Sequence, residues 1–182
     1  MLAETDPEDL AIESLRSLRT SMHFALLDAP NNILMVTGPA PSVGKSFVSV
    51  NLAAVLASSG QRVLLIDGDL RRGYLNEYFG TQRDQGLSEM IAGNLAPEAA
   101  IRQTGLPDFD YVATGVLPPN PAELLLHPRF EQFLRDVSGR YDQVIIDSPP
   151  VLAVTDGAII GRHVGATLLV ARFEQTHMRE LE

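Results

Sequence analysis

Two aspartates, Asp67 and Asp69, stand one residue apart where the apolar run of the segment VLLIDGD ends. Side chains two residues apart in an extended segment point to the same side, so the spacing predicts two carboxylates facing one ligand. Such a pair is expected to divide its tasks, one carboxylate joining a metal ion while the other accepts a proton or orients a nucleophile. The spacing alone also fits two solvated acids at a surface turn.

Gly44, Lys45 and Ser46 predict a phosphate site of the Walker A type, because they follow an apolar run and open a helical segment. The glycine lets the backbone approach phosphate, the lysine neutralises phosphate charge, and the serine hydroxyl is a ligand for Mg²⁺. The strict motif has a glycine where this chain has Pro39, and the nearest glycine is Gly38. The candidate nucleotide-binding residues are Gly38, Pro41, Ser42, Val43, Gly44, Lys45, Ser46 and Phe47.

A third acid, Asp147, ends the apolar run of the segment QVIID and takes the expected Walker B position, which holds Mg²⁺ directly or through water. The order of strand, loop, helix and later strand-end acid predicts nucleoside triphosphate binding, with ATP as the substrate and Mg²⁺ as its metal. The Gly-x-Gly-x-x-Gly motif of dinucleotide-binding folds is absent.

Strand-like and helix-like segments alternate along the chain. Five apolar segments predict strands: ILMVT, RVLLID, DFDYVAT, QVIIDSPP and ATLLVA. Helices are predicted over 45–59, in GLSEMIAG, from Asn120 to near Gly139 as one or two helices, and over 155–163. Strands that are apolar throughout and alternate with helices indicate a single α/β domain over 1–182, with a mostly parallel sheet covered by helices on both faces.

Both ends of the chain carry helix signals. Asp6 as cap and Pro7 as first residue predict an amphipathic N-terminal helix over about 7–27. The final segment FEQTHMRELE reads as the opening of a helix without a stop signal, so the C-terminal end is expected to be truncated relative to a longer protein.

The bulk composition excludes several classes of protein. The chain has 182 residues, a formal net charge of −9 and no cysteine. A negative field repels phosphate backbones, so no nucleic-acid partner is expected, and a disulfide scaffold is excluded. No run of about 18 apolar residues is present and the N-terminus is acidic, which predicts a soluble chain without a membrane span or signal peptide.

Four motifs in order resemble the bacterial tyrosine kinase family, the P-loop kinases fused to or paired with membrane proteins of polysaccharide export. The first is a Walker A loop with Pro41 three residues before its second glycine, and the second is an apolar-D-x-D-x-R segment with Asp67, Asp69 and Arg71. The third is a D-x-P-P segment with Asp147, Pro149 and Pro150. The fourth is an E-x-x-R-x-x-R helix with Glu13, Arg16 and Arg19. The similarity runs from about Asp6 to the final residues, and it is greatest to the kinase domains of the proteobacterial exopolysaccharide type.

The resemblance implies a P-loop fold and an ATP-dependent protein-tyrosine kinase activity. It assigns Lys45 and Ser46 to the phosphates and Mg²⁺. Asp69 and Asp147 would organise the metal together with Ser46, and Asp67 would receive or orient the proton of the tyrosine hydroxyl. The implied catalytic residues are Asp67, Lys45 and Asp69.

The resemblance also implies partners. The helix bearing Glu13, Arg16 and Arg19 would dock on a neighbouring subunit in a ring, where each chain phosphorylates the tyrosine-rich tail of the next; intrahelical pairing is the alternative. Tyr74 resembles a regulatory phosphosite whose phosphate meets an arginine, and Thr114 stands where that arginine is expected. A membrane part at the cytoplasmic side of the bacterial inner membrane, a cognate tyrosine phosphatase and a role in exopolysaccharide or capsule polymerisation and export are implied as well.

Two other functions share these features. A partitioning- or septum-site-type ATPase of the MinD and ParA kind has a similar acidic strand end, but it carries a lysine directly after the first motif glycine, where this chain has Ala40 by register. A nucleotide-gated assembly switch without kinase activity would have lost a catalytic acid or lysine, and none is missing.

Overall fold

The computed structural model describes residues 1–180, whose strands form a six-stranded sheet. The strands are β1 (Ile33–Thr37), β2 (Val63–Asp67), β3 (Ile101–Gln103), β4 (Phe109–Val112), β5 (Gln143–Asp147) and β6 (Ala166–Leu169). Their order is β3-β4-β2-β5-β1-β6, and neighbouring strands run parallel except β3 and β4. The predicted mostly parallel sheet is confirmed.

Helices cover both faces of this sheet. The α-helices are α1 (Leu2–Thr5), α2 (Leu10–Leu26), α3 (Lys45–Ala57), α4 (Leu75–Tyr78), α5 (Leu87–Ala92), α6 (Pro97–Ala100), α7 (Pro121–Leu125), α8 (Pro128–Ser138) and α9 (Asp156–Gly161). Apolar residues of α2 and α3 form one core with the sheet, and those of α5, α8 and α9 form the other.

The central strands are apolar at successive positions because both of their faces are buried. Every residue of β1, β2 and β5 is buried. Leu65 and Ile145 enter the core under α3, while Leu64 and Ile146 enter the core under α8. This double burial explains why these strands lack the apolar–polar alternation of a half-exposed sheet.

Several element boundaries differ from the sequence-based expectation. The sequence analysis missed β3, which has only three residues and exists through antiparallel pairing with β4. So short a segment carries no periodic signal, and its pairing depends on a partner elsewhere in the chain. The helix predicted over 155–163 is confined to α9. Asn120 precedes the first of two helices, and the second of them ends at Ser138, next to Gly139.

The N-terminal helix begins later than predicted. Asp9, rather than Asp6, is its cap, because Asp9 Oδ1 accepts a hydrogen bond from the N–H of Ala11 at 2.7 Å. Asp6 instead ends the separate helix α1. The predicted C-terminal end of this element near residue 27 agrees with the last helical residue, Leu26.

At the C-terminal end, the expected helix is reduced to a 3₁₀ turn over Met178–Glu180, and the last two positions of that expectation lie outside the described residues. Across residues 1–180, no helix combines the length and the apolar character that crossing a membrane requires.

Candidate active site

The phosphate loop connects β1 to α3 and depends on two glycines. Gly44 has φ of 106°, a left-handed conformation that favours glycine. A Cβ on Gly38 would lie 2.7 Å from the Val170 carbonyl oxygen and 2.8 Å from Val43 Cγ2, so only glycine fits there. Gly38 is therefore required for close packing of the loop against Val170 and Val43.

Lys45 and Ser46 are the first residues of α3, so their main-chain N–H groups belong to the free donors of a helix N-terminus. The Lys45 ammonium lies 3.5 Å from the Ala40 carbonyl and is largely buried. Burial lowers the pKa of Lys45, and the charges of Asp147 and Asp69 act against that effect. The Lys45 ammonium therefore lies against the loop, where the sequence predicts a phosphate contact.

Asp147 is held by two serines of α3. Ser46 Oγ donates to Asp147 Oδ2 at 2.6 Å, and Ser49 Oγ lies 2.8 Å from Asp147 Oδ1. Burial raises the pKa of Asp147 to about 6, although both hydroxyls act to lower it. The sequence analysis missed Ser49, whose position one turn after Ser46 on the same face of the helix was the available signal.

Asp67 lies beside Asp147, because the two residues are register partners at the ends of β2 and β5. Asp67 is only 1% exposed; its Oδ2 accepts from the N–H of Leu75 at 2.9 Å and its Oδ1 from the N–H of Asp69 at 3.3 Å. Burial and then the charge of Asp147 raise the pKa of Asp67 to about 7. The alternative of a solvated acid at a surface turn is thereby wrong for Asp67.

Asp69 occupies a different environment from Asp67. β2 ends at Asp67 and the chain turns immediately afterwards, yet both carboxylates line one cleft. Asp69 Oδ1 accepts from the N–H groups of Arg71 at 3.1 Å and Arg72 at 2.9 Å, which folds the loop back on itself. Asp69 is partly exposed and lines the same cleft of about 280 Å³ as Lys45.

Arg71 fixes this acidic loop to the opposite side of the site. Its guanidinium forms a two-pronged ion pair with Asp156 at the start of α9, with Nε 2.8 Å from Oδ2 and the second nitrogen 2.9 Å from Oδ1. Asp156 is fully buried. The sequence analysis placed Arg71 in a motif without identifying Asp156 as its partner, since 85 positions separate them.

Tyr74 lies at the rim of the cleft, where it is 45% exposed and stacks on Tyr78 at 6.3 Å between ring centroids. Thr114, which stands where the family resemblance implies an arginine, is completely buried beneath this loop. Tyr74 thus remains a predicted phosphosite, without a phosphate partner at position 114.

Glu13, Arg16 and Arg19 of the N-terminal helix are not among the residues that line the cleft. Arg16 pairs with Glu13 at 3.0 Å and also donates to the Pro7 carbonyl at 2.9 Å, so the intrahelical alternative describes this pair. Arg19 lines a separate, larger cavity of about 730 Å³, which α2 forms with the end of α3. Docking of this helix on another subunit stays a prediction.

The oxygen ligands around the loop fit a magnesium ion carried by a nucleotide. Within residues 1–180, no three His, Asp or Glu side chains converge closely enough to hold a metal by themselves. Mg²⁺ does not require such a cage, because it commonly binds one or two carboxylates together with substrate phosphates. Ser46 Oγ and Asp147 Oδ2 form a ready pair of such ligands at the head of the phosphate loop.

The fold and this loop define the class of protein, a P-loop nucleotide-binding α/β domain. A family model described as an AAA domain matches residues 31–162. The tyrosine-protein kinase wzc of Salmonella typhimurium is 51% identical over 182 residues, which cover 100% of this chain and 25% of that protein.

Two solved structures match this chain over a larger share of their own length. The kinase domain of the Escherichia coli tyrosine kinase ETK is 49% identical, with a TM-score of 0.96 over 99% of this chain and 71% of that one. The BceF tyrosine kinase domain is 52% identical, with a TM-score of 0.92 over 99% and 72% of the two chains. The chain belongs to the bacterial tyrosine kinase family, and it spans about a quarter of the length of the curated relatives it matches.

A more distant likeness concerns the fold alone. The septum site-determining protein MinD of Pyrococcus horikoshii is 23% identical, with a TM-score of 0.67 over 77% of this chain and 57% of that protein.

Proposed function

We propose that this domain is an ATP-dependent protein-tyrosine kinase. The observation that carries the proposal is the pairing of Asp67 with Asp147 at adjacent strand ends beside the Lys45 loop. This geometry supports a role for Asp67 as proton acceptor and for Asp147 as metal-organising carboxylate at one phosphate site. Membership of a family whose relatives are named tyrosine-protein kinases supports it further.

Phosphate binding is assigned to the loop and the start of α3. Lys45 and the N–H groups of the helix N-terminus would hold the β- and γ-phosphates. Ser46, Asp147 and Asp69 would hold Mg²⁺, which would neutralise the charge that develops during transfer. Because catalysis of phosphoryl transfer depends mainly on positioning and charge stabilisation, these contacts are expected to supply most of the rate.

Asp67 is assigned to receive the proton of the acceptor tyrosine. The phenolic oxygen forms a bond to the γ-phosphorus as the bond to the departing ADP breaks, and the phenolic proton passes to Asp67. A carboxyl group whose pKa is raised to about 7 is a better proton acceptor than an ordinary aspartate. Because the N–H of Leu75 bonds Asp67 Oδ2 and the carboxylate is buried, the loop between these residues has to move for a phenol to reach it.

We infer that the acceptor is the tyrosine-rich tail of a neighbouring subunit in a ring-like homo-oligomer, with Glu13, Arg16 and Arg19 at the contact and Tyr74 as a regulatory phosphosite. The whole protein would act at the cytoplasmic side of the bacterial inner membrane, joined to a membrane part and opposed by a cognate tyrosine phosphatase. Its role would be control of exopolysaccharide or capsule polymerisation and export.

An ATPase of the MinD kind and an assembly switch without kinase activity are the competing functions. Ala40 stands where the ATPase class has its second lysine, which disfavours the first. The retention of Lys45, Asp67 and Asp147 in one site disfavours the second.

The test is to mix this chain with ATP, Mg²⁺ and a synthetic tyrosine-rich tail peptide and to measure phosphotyrosine. We expect peptide phosphorylation by the wild-type chain and none by Lys45→Met. Hydrolysis of ATP to phosphate without any phosphotyrosine would favour the ATPase, and nucleotide binding without turnover would favour the switch.

A further inference from the structure

Thr114 carries a buried hydroxyl, Oγ1, that has no hydrogen-bond partner within residues 1–180. The residue lies two positions after β4 and its backbone is fixed by α5, because Ser88 N–H donates to the Thr114 carbonyl at 3.0 Å and Leu87 N–H to the Ala113 carbonyl at 2.8 Å. The polar atom without a partner is therefore held in place by a rigid backbone.

That hydroxyl lies against the carboxylate of Asp67. A Cβ on Gly73 would be 1.6 Å from Thr114 Oγ1 and 2.7 Å from each carboxylate oxygen of Asp67, so the three groups meet at one point. The carboxylate already accepts from Leu75 and, at a longer 3.3 Å, from Asp69. An ionised carboxylate has about four lone-pair sites and can accept a further bond.

Packing does not explain a threonine at this position. Valine has nearly the same shape without a polar atom, and a buried hydroxyl without a partner is unfavourable. A hydroxyl hydrogen can rotate toward a neighbouring acceptor, and a hydrogen bond to an ionised carboxylate is stronger than one between neutral groups. The residue type at position 114 therefore fits a donor to Asp67.

We propose that Thr114 is a positioning residue whose hydroxyl donates to Asp67 and holds that carboxylate in the orientation that receives the phenolic proton. The inference rests on the kinase function proposed above. It deepens that function by adding, at the end of a third strand, a residue that lies outside the four sequence motifs.

The test compares Thr114→Val with Thr114→Ser in the peptide-phosphorylation assay, using the wild-type chain as reference. We expect Thr114→Val to lower kcat by about tenfold or more, the effect of losing one hydrogen bond to a charged group, while the KM for ATP with Mg²⁺ stays within about twofold. Thr114→Ser should restore most of the rate. The melting temperature of each variant is measured alongside its kcat, so that loss of rate is separated from loss of folded protein.

Thr104→Val is the matched control, because its hydroxyl donates to the Phe109 carbonyl at 2.7 Å at the other end of β4. This variant should lose thermal stability and keep its kcat. A Thr114→Val chain with wild-type kcat would overturn the inference, as would a Thr114→Ser chain as slow as Thr114→Val. A wild-type chain that phosphorylates no peptide would overturn both this inference and the proposed function, so the two failures are distinguishable.

Discussion

Asp67 and Asp147 lie side by side as register partners on adjacent parallel strands, with exposures of 1% and 4%. Burial raises the pKa of both carboxylates, and the charge of Asp147 raises the pKa of Asp67 further. The site thus has an excess of negative charge that a cation can offset. We infer that this electrostatic imbalance makes the site depend on nucleotide-bound Mg²⁺.

The stability of the metal-free domain is expected to fall as the pH rises from about 5 to 8. The folded-state pKa values of about 7 for Asp67 and about 6 for Asp147 exceed the ordinary value of 3.8, so the folded state binds more protons than the unfolded one. The stabilisation is complete below about pH 4 and is lost as the pH rises through 6 and 7. Melting temperatures of the wild type and of Asp67→Asn, measured by calorimetry across this pH range, test the expected fall in stability.

In that experiment Asp67→Asn should flatten the dependence of the melting temperature on pH. The variant removes the raised pKa of Asp67, and each pKa unit of that shift corresponds to about 1.4 kcal/mol of stability. Glu98→Gln, at an exposed position in α6, is the control and should leave the slope unchanged. Equal slopes for wild type and Asp67→Asn would contradict the assigned shift.

Asp67→Asn is also expected to abolish phosphotyrosine formation while sparing ATP binding. The amide cannot take the phenolic proton, whereas the phosphates are held by Lys45 and the helix N-terminus. Peptide phosphorylation and nucleotide titration by calorimetry measure the two properties separately. Normal phosphorylation by the variant would remove Asp67 from the catalytic assignment.

Ser49→Ala is expected to weaken binding of ATP with Mg²⁺ by about tenfold, because Asp147 Oδ1 loses a hydroxyl neighbour at 2.8 Å. Ser58→Ala is the matched control: Ser58 Oγ bonds the carbonyl four residues earlier in the same helix, as Ser49 Oγ does, but at the end remote from the site. Calorimetric titration of both variants with ATP and Mg²⁺ measures the difference in affinity. A Ser49→Ala affinity equal to that of Ser58→Ala would show that the hydroxyl has no role at Asp147.

Arg71→Ala is expected to lower the free energy of unfolding by about 1–3 kcal/mol, because it leaves the buried carboxylate of Asp156 without its partner. Arg62→Ala removes a two-pronged pair of the same type with Asp142, but both of its members are exposed, so its loss should matter little. Urea denaturation compares the two variants. Equal losses would mean that burial of Asp156 adds nothing to the pair.

The parallel sheet and the phosphate loop were predictable because their signals are local. The strands β1, β2 and β5 are apolar over successive residues, and the segment around Gly44 combines a turn glycine with the start of a helix. β3 was not predictable, since three residues carry no period and the segment is a strand only through its pairing with β4. The cap at Asp9 was misplaced at Asp6 because both positions have an aspartate near the helix start.

The amino-acid sequence by itself determined the chemistry of the loop, the presence of three acids at strand ends and the family resemblance that the comparisons confirm. Only the tertiary structure decided that Asp67 is buried beneath its own loop while Asp69, which lines the same cleft, is partly exposed, because β2 ends at Asp67 and the loop that follows covers its carboxylate. It alone also brought Thr114 to Asp67 and Asp156 to Arg71. These contacts join residues far apart in the chain, and only the packing of the strand ends and helices sets such distances.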